Sequence, residues 1–116
     1  MGWKPEKEIQ AEIVKFLTKD AGIFFKVIHV QGLRCQGKDG KVFLAKNSMK
    51  GMADIYSYVD KQFTLWIEVK SATGTLSDDQ KKFQQLVEDQ GQYFLIARSV
   101  DDVKYFLENT VRAVLD

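Results

Sequence analysis

The sequence predicts one α/β domain with the element order α-β-β-β-α-β-α. Two observations carry that expectation: apolar residues recur at helical spacing in three separate stretches, and short runs rich in β-branched and aromatic residues stand between them. At 116 residues the chain is large enough for one hydrophobic core and too small for two, so residues 1–116 are expected to form a single domain.

The elements follow in order. A first helix is expected from about Pro5, whose missing N–H costs nothing at a first helical position, with Ile9, Ile13, Phe16 and Leu17 as its apolar stripe and Gly22 as its breaker. "IFFKVIHV" has the composition of a strand. Gly32, Gly37 and the "KDGK" turn mark a loop or an extra hairpin arm, with "VFLA" returning. Two strands, about Ala53–Tyr58 and Phe63–Lys70, flank a turn near Asp60. Ser77 and Gln80 match the S-x-x-Q capping box, which opens a helix running to about Gln90 before Gly91. "YFLIA" reads as a short buried strand, and Ser99 can cap a final helix carrying Val103, Phe106 and Leu107.

Composition narrows the function classes. No apolar run approaches the roughly 18 residues of a membrane span, and "MGWKPEKEIQ" lacks the apolar core of a signal peptide, so no membrane partner and a cytoplasmic location are expected. Cys35 and His29 stand alone, which excludes an internal disulfide and a zinc site built from these residue types; any metal should be held by oxygen. Net charge is +1, yet residues 1–76 carry 12 basic and 8 acidic side chains while residues 77–116 carry 5 and 8. Within the basic half, Arg34, Lys38, Lys41, Lys46 and Lys50 are interrupted only by Asp39, and they could track a phosphate backbone or simply solvate a hairpin.

The chemistry is concentrated between Gly51 and Lys70. Residues two apart in a strand share a face, so Glu68 and Lys70 project with Trp66 while Leu65, Ile67 and Val69 point the other way. If the strands around Asp60 pair as an antiparallel hairpin with an odd loop, Asp60–Gln62, then paired residue numbers add up to 122 and Asp54 opposes Glu68. That register brings the two carboxylates to roughly 5 Å between Cβ atoms. Like charges that close repel, and a divalent cation with oxygen ligands relieves them; Mg²⁺ takes one or two carboxylates and leaves positions for water and phosphate oxygens. Lys70 could then stabilise charge on a phosphoryl oxygen or help orient and deprotonate an attacking water. Taken singly, each part has a plainer reading: Glu68 and Lys70 as a solvent-facing pair, Asp54 as a strand-entry residue, Gln80 as a cap alone and Glu8 as a solvated helix acid.

In combination these residues resemble the PD-(D/E)XK nuclease superfamily, and within it the virus-type replication-repair nuclease (VRR-NUC) domain. The matching segments are "EIQ" at Glu8–Gln10, "KGMAD" at Lys50–Asp54, "IEVK" at Ile67–Lys70 and "LSDDQ" at Leu76–Gln80. The resemblance implies a restriction-endonuclease-like fold, a central mixed β-sheet flanked by helices, and a DNA nuclease dependent on Mg²⁺ or Mn²⁺. It implies Asp54 and Glu68 as metal-binding carboxylates, the Val69 carbonyl as a further ligand and Lys70 as the catalytic lysine. Glu8 corresponds to the helix acid that supports the site or a second metal, and Gln80 to the motif glutamine. Ala53 stands where the family commonly has proline. Small stand-alone relatives resemble phage-encoded proteins, which implies a bacterial cell or phage-infected host. It also implies a homodimer acting on branched DNA such as Holliday junctions in replication, repair or recombination. A non-catalytic DNA-binding or scaffold module of the same fold and an RNA-directed nuclease are the alternatives.

Overall fold

The structure is a computed structural model that describes residues 4–19, 24–28, 34–36, 42–44, 51–59 and 63–115. Helix α1 (Glu6–Lys19) starts just after Pro5, whose carbonyl accepts the N–H groups of Glu8 and Ile9. It buries Ile9, Ile13 and Leu17, the stripe that the spacing predicts. The expected breaker, Gly22, lies outside the described residues.

Strands β1 (Phe24–Val27), β4 (Ile55–Val59), β5 (Phe63–Val69) and β6 (Tyr93–Ala97) form one sheet in the order β1-β4-β5-β6. The sheet is mixed: β1 and β5 run antiparallel to β4, and β5 runs parallel to β6. Strands β2 (Arg34–Gln36) and β3 (Val42–Leu44) pair separately, and they are the hairpin arm. Helix α2 (Asp78–Asp89) makes the crossover between the parallel strands β5 and β6, and α3 (Val100–Leu115) closes the chain.

Two layers of helix cover this sheet. On one face α1 and α3 bury Ile9, Ile13, Leu17 and Val103 against Ile55, Val59, Leu65, Ile67, Val69 and Ala97. On the other, Phe83 and Val87 of α2 pack with Ala53, Trp66 and Phe94. With both faces covered, β5 is buried at Ile67, Glu68 and Val69 in succession. Glu68 is therefore carried into the interior on the α2 face by the same strand whose apolar residues anchor the opposite face.

The register of β4 on β5 pairs Ile55 with Ile67 and Val59 with Phe63, which is the register expected of the odd loop. Continued by one residue, it sets Asp54 opposite Glu68. Among the described residues no helix is long and apolar enough to cross a membrane.

Candidate functional site

Three segments converge where β4 begins and β5 ends. The first is the turn before β4. Gly51 has φ +80°, and a Cβ on it would stand 2.3 Å from the carbonyl carbon of Asp79 and 2.6 Å from the backbone nitrogen of Gln80. Only a glycine lets this turn touch the backbone at the start of α2. Three residues later the Asp54 side chain turns toward β5, and its Oδ2 accepts the Val69 N–H at 2.7 Å.

The second segment is the end of β5. Glu68 is 2% exposed. Its Oε1 stands 3.7 Å from the Lys70 ammonium, and its Oε2 is buried with no hydrogen-bond partner. Burial pushes the Glu68 carboxyl up from 4.5 to about 8, with the Asp54 charge adding to the rise and Lys70 opposing it. Asp54 is also raised, chiefly by burial, while the Val69 N–H and Lys70 hold it down. In the absence of a cation, burial and mutual repulsion favour taking up a proton at this pair.

The third segment is the first turn of α2. Ser77 is its N-cap, with the Ser77 hydroxyl accepting the Gln80 N–H and the Gln80 Oε1 accepting the Ser77 N–H. The other end of the same amide, Nε2, donates to Glu68 Oε1 at 2.8 Å. Gln80 is thus both a cap and a partner of Glu68, because the two ends of a carboxamide serve different groups. The bond fixes the Glu68 carboxylate from the helix side and leaves Oε2 without a donor.

The acids of α1 divide. At about 100° per residue, Glu6 lies on the stripe of Ile9, Ile13 and Leu17, whereas Glu8 lies well over a quarter turn away. Both are exposed, and in accord with this phase the Glu6 charge raises Asp54 and Glu68, whereas the Glu8 charge acts on Lys4. The place of Glu6 three residues before Ile9 is the sequence signal for this side of α1. Of the basic residues expected to meet phosphate, Arg34 lies in β2; Lys38, Lys41, Lys46 and Lys50 lie outside the described residues, as does His29.

A model of the VRR-NUC domain matches residues 4–101, which takes in α1, the whole four-stranded sheet, α2 and the converging residues just described. The chain belongs to the VRR-NUC domain family. The family is one of nuclease domains, so the chain is placed among nucleases acting on nucleic acid, with DNA as the suggested substrate. No curated protein and no solved structure matches it.

The convergent residues suit an oxygen-ligated cation. Among the described residues no group of three or more His, Cys, Asp or Glu side chains is arranged to hold a metal ion. A pair of carboxylates with one buried oxygen lacking a donor is what Mg²⁺ accepts when water and phosphate oxygens complete its shell.

Proposed function

We propose that this VRR-NUC protein is a divalent-metal-dependent DNA nuclease that hydrolyses phosphodiester bonds. The observation that carries the reading is Glu68: a carboxylate buried in the core with one oxygen held by Gln80 and the other without a donor, beside Asp54. A buried acid beside a second carboxylate, with Lys70 the one ammonium near it among the described residues, is costly unless it takes up a proton or meets further positive charge. Asp54 and Glu68, with the Val69 carbonyl, would hold Mg²⁺ or Mn²⁺, and an α1 acid, Glu8 by resemblance or Glu6 by electrostatic reach, would support the site or a second ion. Bound there, the ion would polarise a phosphoryl oxygen as a Lewis acid.

The chain's own residues supply the rest. Gln80 orients Glu68, and the Val69 N–H orients Asp54. The Lys70 ammonium, 3.7 Å from Glu68, would neutralise charge growing on a phosphoryl oxygen and orient the attacking water; as the neutral amine, Lys70 would instead accept that water's proton. Arg34, Lys38, Lys41, Lys46 and Lys50 are the residues proposed to track the phosphate backbone.

The finer reading is a structure-selective endonuclease on branched DNA such as four-way junctions, acting as a homodimer in replication, repair or recombination. With a net charge of +1, one small domain offers few phosphate contacts; a two-fold dimer doubles them and sets two sites against two strands. The test is digestion of a labelled junction, linear duplex, single-stranded DNA and RNA side by side, with the Asp54→Asn protein as control and sedimentation for mass. Symmetric cutting of the junction by a dimer, lost in Asp54→Asn, supports the reading. Cutting of RNA alone moves the substrate class, and wild-type cutting by Asp54→Asn removes Asp54 from the site.

A further inference from the structure

Lys70 closes β5 and opens a turn. Its N–H donates to the Ala97 carbonyl at 3.0 Å, which extends the β5–β6 ladder by one residue. Beyond it the chain doubles back, with the Gly74 N–H donating to the Ser71 carbonyl at 3.2 Å. This turn is tied from outside by Arg98, the residue after Ala97. Arg98 Nη1 donates to the Ser71 carbonyl at 2.6 Å and to the Gly74 carbonyl at 2.8 Å, while its backbone N–H donates to Asp102 Oδ2 at the start of α3.

The inner wall of the turn is the stem of Lys70. A Cβ built on Gly74 would stand 3.3 Å from Lys70 Cδ and 3.2 Å from Ser71 Oγ, so the bare glycine lies against the lysine's methylenes. The Lys70 side chain is accordingly only 12% exposed, although lysine stems are ordinarily flexible and solvated. A catalytic ammonium needs a fixed position more than a fixed charge, because small misplacements of a reacting group cost large factors in rate.

We infer that Arg98 is a positioning residue: by tying both carbonyls of the Ser71–Gly74 turn, it closes that turn on the Lys70 stem and keeps the ammonium beside Glu68. The inference rests on the reading of Lys70 as the catalytic lysine. The role inferred for Arg98 acts through Lys70, by way of the Ser71 and Gly74 carbonyls that its Nη1 holds.

Two readouts on the full chain test it. In protein carrying ¹³C-labelled lysine, in EDTA, NMR relaxation reports the mobility of the Lys70 ε-methylene, assigned by its loss in Lys70→Arg. In steady-state cleavage with Mg²⁺, kcat and KM are separated. For Arg98→Ala the Lys70 methylene is expected to become as mobile as those of exposed Lys81 and Lys82. With it kcat should fall on the order of tenfold at little-changed KM, and Arg98→Lys should recover most of the loss. A Lys70 methylene that stays rigid in Arg98→Ala overturns the inference, as does a fall in melting temperature with kcat unchanged.

If Arg98→Ala does not fold, Gly74→Ala decides. Its methyl must displace the Lys70 stem by a few tenths of an ångström, so kcat falls and the Lys70 signal shifts, or the stem is not confined there. A wild type that cuts none of the substrates removes the nuclease reading, and Lys70 mobility alone then decides this one.

Discussion

Replacing Glu68 by glutamine should stabilise the metal-free protein at pH 8 and do little at pH 5. In the native state Glu68 titrates near 8 instead of 4.5, because it is buried beside Asp54. Between those values the folded protein holds a proton that the unfolded chain has lost, so stability is full below about pH 4.5 and declines as pH rises toward 8. At about 1.4 kcal/mol per pH unit, the span sets a ceiling of about 5 kcal/mol. Relaxation and water entry reduce it, and roughly 2–4 kcal/mol is expected. The substituted amide carries no charge at any pH and can still accept from Gln80 through its oxygen. Urea unfolding in EDTA at pH 5, 6, 7 and 8 measures the gap between the two proteins, which should widen with pH. Mg²⁺ at pH 8 should close most of it by stabilising the wild type alone. A gap that does not change with pH would refute the assignment of a proton-loaded carboxyl to this position.

Other substitutions probe the geometry that converges on Glu68. Gly51→Ala puts a methyl into the backbone of α2 at a φ of +80°, so circular dichroism melts should show a loss of at least about 2 kcal/mol, and an unchanged melt would contradict the close approach. Gln80→Ala removes a cap and the Glu68 donor together; a stability loss of about 1–2 kcal/mol with a lower calorimetric affinity for Mg²⁺ is expected, whereas Gln80→Glu should preserve the cap and still weaken the site. Glu6→Gln should lower the pH at which Glu68 titrates, read from carboxyl ¹³C shifts, and Glu8→Gln should leave it in place. Equal effects of the two would show that the phase of α1 does not select between them.

Much of this arrangement is legible in the chain because it depends on local rules. The parity of a three-residue loop fixes which face Asp54 takes, and the observed pairing of Ile55 with Ile67 follows from it. The S-x-x-Q pattern at Ser77 signals its own capping box, and "YFLIA" coincides with β6. What escaped the reading depends on partners distant in sequence. Arg98 bonds carbonyls 24 and 27 residues earlier, and no local pattern announces that. The S-x-x-Q pattern announces the Gln80 cap, whereas the bond from its other amide end to Glu68, twelve residues earlier, follows only from the packing of α2 on β5. The "EIQ" motif points to Glu8, whereas it is the Glu6 charge that reaches Asp54 and Glu68 through the helical phase of α1. The need for glycine at position 51 is likewise invisible until α2 is placed against it.

The most direct test of the central claim compares purified wild-type and Lys70→Ala proteins on labelled DNA with Mg²⁺, Mn²⁺ or EDTA. The expected result is cutting by the wild type with either metal and none in EDTA, with Lys70→Ala folded, still binding DNA and inactive. Cutting by Lys70→Ala at the wild-type rate, or cutting by the wild type in EDTA, would contradict the account.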